Sequence, residues 1–108
     1  MAIQYNLHIE AGATFVRDVV YTNEDGSTFD LTGYTGKLQI RPSVTSSTLS
    51  LEVIPTINVA TSTISWTFTP AQTSAMINGY SYAMEITNGT IVIRLIEGVL
   101  VVSPELVR

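Results

Sequence analysis

The sequence predicts an all-β sandwich, and three observations lead there. Apolar residues recur at every second position in several runs, among them Tyr5, Leu7 and Ile9, then Ile64, Trp66 and Phe68, then Tyr80, Tyr82, Met84 and Ile86. That spacing places each run on one face of a pleated strand. Turn signals separate the runs at intervals of about 8 to 12 residues, the rhythm of a sandwich rather than of a helical or α/β chain. The chain is 45% hydrophobic over 108 residues, which suits one domain, residues 1–108, because single cores form at roughly 100 to 150 residues.

The first strand alternates over residues 4–10, and Ala11-Gly12-Ala13 then bends the chain. Residues 15–21 make the second, with Phe15, Arg17, Val19 and Tyr21 on one face and Val16, Asp18 and Val20 on the other. Both faces are partly apolar, which predicts a central or interface strand. Asp25-Gly26 sits in a polar cluster and reverses the chain, because glycine takes the positive φ of a tight turn. Residues 29–34 are a short extended piece kinked at Gly33. Residues 35–41 form the third long strand, with Leu38 and Ile40 inward and Lys37, Gln39 and Arg41 outward. Pro42 ends it, having no amide to donate.

Residues 43–48 are rich in serine and threonine, lack a period and read as an exposed loop. Leu49, Leu51 and Val53 alternate as a fourth strand, and after Pro55 residues 57–60 carry only a weak pattern. Residues 63–69 form a strong strand. Thr69 followed by Pro70 has the form of an N-cap with proline at the first helical position. This predicts one short helical turn near Pro70 to Ile77, ended by Asn78-Gly79. Residues 80–87 and 91–96 make a hairpin about Asn88-Gly89, a pair suited to a type I′ turn. Gly98 reads as a bulge or bend that divides two strand segments, residues 99–103 close the sheet before Pro104, and residues 105–108 are a tail or contact arm. The tally is seven to nine strands without an internal repeat.

Composition narrows function by exclusion. Only 13% of residues are charged, against about 25% in ordinary soluble proteins. Either part of the apolar surface requires a partner, or serine and threonine supply the solvated faces. The net charge is −4, and Arg17, Lys37, Arg41, Arg94 and Arg108 are dispersed along the chain, so no basic stripe is available to neutralise phosphates and nucleic acid is not an expected partner. The absence of cysteine removes disulfides, thiol nucleophiles and thiolate metal sites. No run of about 18 apolar residues and no signal-like amino terminus occur, so neither membrane insertion nor secretion is expected.

The residues that could carry chemistry are better explained without it. His8, the single imidazole, lies on the polar face of the first strand, without the further ligands a metal needs or a partner a general base needs. Glu24, Asp25 and Asp30 lack the alternating acidic spacing of a calcium loop and read as solvated acids at a hairpin tip. Glu52, Glu85 and Glu97 each fall on an outward strand position, where an ordinary polar face accounts for them better than a glycosidase pair. Trp66, Phe68, Tyr80 and Tyr82 could form a sugar-stacking platform, but their place in the strongest alternating strands assigns them to the core. Asn88-Gly89-Thr90 fits a glycosylation acceptor and, equally, a hairpin apex. Gly12, Gly33 and Gly98 are too far apart for a phosphate loop and read as bends. No catalytic, cofactor-binding or metal residues are assigned, and no enzyme activity is expected.

Three blocks carry a resemblance. They are Tyr5-Asn6-Leu7-His8-Ile9-Glu10-Ala11-Gly12-Ala13-Thr14-Phe15; Asp25-Gly26 with the run from Asp30-Leu31-Thr32-Gly33-Tyr34 to Arg41; and the closing run from Arg94 through Gly98 to Pro104-Glu105. Together they resemble small structural proteins of tailed-bacteriophage virions, and the opening and the Asp-Leu-Thr-Gly block are similar to the amino-terminal β-domain of phage upper baseplate proteins. The resemblance implies an immunoglobulin-like antiparallel β-sandwich located in the virion. Such a protein serves as an adaptor or attachment module at the tail, baseplate or fibre region, or as a capsid decoration (cement) protein. Its implied partners are other virion structural proteins, met in multiple copies of a symmetric assembly. The sequence ends at Arg108 without a fibre region, so an adaptor role calls on separate partner chains. Exposed strand edges are the natural docking route, and the first strand and the segment from Val99 are the candidate edges. The rival expectation from another class is a carbohydrate-binding module using exposed aromatics and the 43–48 loop to hold a host glycan.

Overall fold

The computed structural model describes residues 3–23, 25–27 and 29–104. Within them the chain forms β1 (Ile3–Gln4), β2 (Leu7–Glu10), β3 (Phe15–Val20), β4 (Thr35–Arg41), β5 (Leu51–Val53), β6 (Thr56–Asn58), β7 (Thr63–Phe68), α1 (Pro70–Ser74), β8 (Ser81–Thr87) and β9 (Val92–Ser103). No described helix is long and apolar enough to cross a membrane. The expected tail at residues 105–108 and Glu24 lie outside the described residues.

Two sheets pack as a sandwich. The larger runs β1-β9-β8-β4-β5, with β2 also pairing with β9, and the smaller runs β3-β7-β6. Alternation aims Leu38 and Ile40 of β4, Tyr82, Met84 and Ile86 of β8, and Leu7 and Ile9 of β2 at Phe15, Ile64, Trp66 and Phe68 of the smaller sheet, all of them buried in one cluster. Phe15 and Phe68 stack with ring centroids 5.4 Å apart. Each such aliphatic or aromatic side chain contributes about 1.5–3 kcal/mol by leaving water. The all-β sandwich read from the sequence is therefore the fold.

The pairings are antiparallel except at the amino terminus, where β1 and β2 run parallel to β9 with Ile3 opposite Ile96 and Leu7 opposite Leu100. Between β1 and β2 the ladder is carried by a side chain. Tyr5 N donates to Glu97 O at 2.8 Å, and Val99 N donates to Asn6 Oδ1 at 3.1 Å. The Asn6 amide thus satisfies a β9 donor that the interrupted strand leaves without a carbonyl. Gly98 makes this close approach possible, since a Cβ there would collide with the Tyr5 carbonyl and lie 2.9 Å from Asn6 Oδ1. Its role is space for the neighbouring strand rather than the bulge or bend that its type suggests.

The bulge lies three residues earlier. Met84 pairs with Ile96 and Glu85 with Arg94, which leaves Leu95 as the extra residue. Leu95 and Ile96 are consecutive and both buried. The inward phase shifts from Ile93 and Leu95 to Ile96 and Leu100, and β9 continues as one strand of 12 residues instead of two segments.

Other details depart from expectation for local reasons. The β8–β9 hairpin keeps its apex at Asn88-Gly89, but Thr87 and Val92 are the last pair, so the connection has four residues, 88–91, and not two. Asn88 Oδ1 accepts from the amides of Thr90 and Ile91, which stabilises this longer turn. Helix α1 forms behind the predicted cap as a full capping box, with Thr69 Oγ1 accepting from Gln72 N at 3.2 Å and Gln72 Oε1 from Thr69 N at 2.9 Å. It stops at Ser74 rather than Ile77, because residues 77–80 turn through Gly79, at φ 91°, to deliver Tyr80 to Leu100. β3 is not central but an edge of the smaller sheet, and the segment from Val99, a candidate edge by sequence, lies inside the larger one between β8 and β2.

Candidate functional site

The larger sheet carries its charge on its outer face. Cross-strand register places Lys37 beside Glu85 and Glu85 beside Arg94. The next row holds Glu52, Gln39, Ala83, Glu97 and Gln4, and the one after it Arg41, Ser81 and Val99. Ala83 is the small residue at the centre, and around it lies a shallow trough of about 340 Å³ bordered by Lys37, Arg41, Glu85, Arg94 and Glu97, with Ser43 and Val44 at its mouth.

Hydrogen bonds fix part of this face. Arg94 donates to Glu85 Oε2 from Nε at 3.3 Å and from Nη2 at 3.0 Å. Both partners meet solvent, so the pair is worth at most about 1 kcal/mol. Arg41 links the 43–48 loop to the sheet, donating from Nη1 to Ser47 O at 3.0 Å and from Nη2 to Gln39 Oε1 at 2.9 Å; Gln39 in turn donates to Glu52. Of the three glutamates, Glu85 and Glu97 therefore line the trough, while Glu52 is held at its outer side by Gln39.

The smaller sheet presents a different surface. Its outward positions are Val16, Asp18 and Val20 on β3, Thr63, Ser65 and Thr67 on β7, and Thr56 and Asn58 on β6, placed in rows by the register. Asp18 is the single charge among them. Polar hydroxyls cover this face, as the composition allows, and two exposed valines mark its β3 side.

The two sheets meet along one side through a small polar cluster. Arg17 of β3 donates from Nη1 to the Tyr5 hydroxyl, and its guanidinium carbon lies 5.5 Å from the Tyr5 ring centroid and 5.0 Å from that of Phe15. Tyr82 donates its hydroxyl to the Tyr5 carbonyl. Burial pushes the Tyr82 phenol up to about 12, with the Arg17 charge pulling weakly in the other direction. Sequence alternation assigns Tyr5 and Tyr82 to the core but gives no sign that Arg17, on the same inward face, would join them.

The remaining candidates are dispersed. His8 is exposed on the outer face of β2, opposite Val101. Asp25 and Asp30 serve their own turns: Asp25 Oδ1 accepts from Ser27 Oγ at 2.6 Å and Ser27 N at 2.9 Å and Asp30 Oδ1 from Thr32 N at 3.0 Å, and hydrogen bonds from the Ser27 and Thr32 side chains, followed by those from their amides, hold the two carboxyls below the usual range. Among the described residues no group of three or more acidic or histidine side chains is placed to hold a metal. Trp66, Phe68 and Tyr82 are buried and Tyr80 is half-buried, so these rings pack inside and offer no stacking platform. Lys37, Arg41 and Arg94, dispersed in sequence, are gathered at one trough. The i, i+4 spacing of Lys37 and Arg41 on a strand is the part of that signal the sequence contains.

No family model matches the chain, and no curated protein matches it significantly.

Proposed function

We propose that this protein is a non-enzymatic structural component of a tailed-phage particle, an adaptor or attachment module at the tail, baseplate or fibre region. It works in multiple copies by contact with other virion proteins. The observation that carries this reading is where the three resembling blocks fall. Although far apart in sequence, they contribute β2, β4 and β9 to one six-stranded sheet. Their small residues have defined tasks there. In Asp30-Leu31-Thr32-Gly33, Asp30 makes the turn, Leu31 fills the core and Gly33 takes φ 80°. In the closing block Gly98 admits the amino-terminal strand.

The surface supports the same reading. Charge is concentrated on one broad face and nearly missing from the other, which suits a module read by different neighbours on its two sides. Capsid decoration shares this support and differs only in location. A glycan-contacting role draws on the polar trough and the adjoining 43–48 loop, but with Trp66 and Tyr82 inside the core it lacks the stacking faces sugars commonly use.

The test is quantitative mass spectrometry of purified particles from the phage whose genome encodes this chain. The chain should be present at a fixed ratio to a tail or baseplate protein and remain after tails are separated from heads. Absence from particles would contradict the proposal, and retention on heads alone would move it to capsid decoration. Terminal truncation is a poor substitute, because removing the first or last ten residues takes Leu7 and Ile9, or Leu100, out of the core.

A further inference from the structure

One side of the sandwich combines an unpaired strand with unburied apolar side chains. Among the described residues β3 pairs only with β7, and it is six residues long. Its outer edge is bare of any other described strand. Val16 and Val20 on its outward face are 65% and 61% exposed, and Tyr5 of the amino-terminal segment, the residue that Arg17 of β3 contacts, is 39% exposed. The Arg17–Tyr5 bond brings the Tyr5 side chain to the inward side of β3, opposite the face that carries the valines. An incoming strand beside β3 would continue the ladder, cover the valines with one set of side chains and reach Tyr5 with the other.

The charges at the centre of β3 indicate what that strand is. A second copy pairing about a two-fold axis must set outward residues opposite outward residues. Registers centred on the strand then place Arg17 against Arg17 or Asp18 against Asp18, and like charges directly opposite are unfavourable. The edge is thus protected against itself while remaining open to a segment of opposite charge order.

We propose that β3 docks an extended segment of a different protein, antiparallel, with a basic residue opposite Asp18, an acidic residue opposite Arg17 and aliphatic residues opposite Val16, Val19 and Val20. This deepens the adaptor reading and rests on it for the partner being a virion protein. The pairing itself is a property of the isolated chain.

The test uses a seven-residue peptide, threonine-valine-isoleucine-lysine-glutamate-valine-threonine, with blocked ends, titrated into the folded protein and followed by amide hydrogen exchange. Three comparisons accompany it: the same peptide with lysine and glutamate exchanged, an N-methylated version unable to pair, and the protein variant Asp18→Lys. The expected result is new protection confined to residues 15–20, absent with the N-methylated peptide. Binding should be about threefold to fivefold weaker for the exchanged peptide, and Asp18→Lys should remove or reverse that preference. Protection at β1, β2 or β5 instead, indifference to charge order, or peptide-free dimerisation that protects residues 15–20 would each overturn the proposal. Because the titration contains no phage component, its failure is distinct from absence of the chain in particles.

Discussion

Tyr82 on β8 reaches across Gly98 on β9 and donates its hydroxyl to the main-chain carbonyl of Tyr5. Three successive strands are tied by that one bond. The glycine supplies the clearance for the Tyr5 carbonyl and the Asn6 side chain, and the hydroxyl satisfies a carbonyl where the amino-terminal ladder is interrupted.

Removing the hydroxyl isolates this bond. Tyr82→Phe keeps the ring and should cost about 1–2 kcal/mol, because the carbonyl loses its partner at a part-buried position. Urea unfolding should show a lower midpoint with an unchanged slope.

Burial of the same hydroxyl predicts a pH dependence. A phenol whose value rises from 10.0 unfolded to about 12 folded binds its proton more tightly in the native state, so unfolding releases protons above pH 10. Its stabilisation is fully present below the unfolded value and is lost as pH rises through the folded one. Native stability should therefore fall between about pH 10 and 12, and Tyr82→Phe should lack that part of the decline when unfolding is measured across the window.

Gly98→Ala should act through the strand it contacts. The new methyl group meets the Tyr5 carbonyl and Asn6 Oδ1, and overpacking of this kind costs about 1–3 kcal/mol. Amide exchange should accelerate at residues 3–10 while β4 and β8 stay protected.

Trp66 presents the opposite case. Its Nε1 is the buried side-chain polar atom without a hydrogen-bond partner among the described residues. Trp66→Phe removes an unsatisfied donor along with some volume, so it should cost less than about 2 kcal/mol, against about 3–5 kcal/mol for Trp66→Ala. Thermal unfolding of both variants checks the difference.

The Arg94–Glu85 pair gives a surface control. Arg94→Gln and Glu85→Gln should each shift stability by less than about 1 kcal/mol. They can therefore be used to ask whether the trough contributes to the proposed particle assembly without unfolding the module.

The period-two pattern made most of this architecture legible in the sequence. β4 and β7 occupy their expected segments nearly residue for residue, and Thr69-Pro70 marked the helix start through local chemistry alone. What alternation cannot express is which strand lies beside which. β3 was hard to place because Val16 and Val20 look like core from sequence, yet they face solvent on an edge strand. The phase shift at Leu95-Ile96 was visible as two adjacent large aliphatics, but Gly98 offered a more conspicuous irregularity. The trough was illegible for a similar reason, since Lys37 and Arg94 meet only through a hairpin register that the bulge displaces. The Arg17, Tyr5 and Tyr82 cluster depends on contacts 12 and 77 residues apart in the chain.

Electron cryo-microscopy of purified phage particles would show directly whether the sandwich is present and what it touches. If the protein is the virion adaptor proposed, the two-sheet module should stand at the tail or baseplate in several symmetry-related copies, with a strand from a neighbouring virion protein alongside residues 15–20. Particles complete without the chain, or a chain held there with β3 facing open solvent, would contradict it.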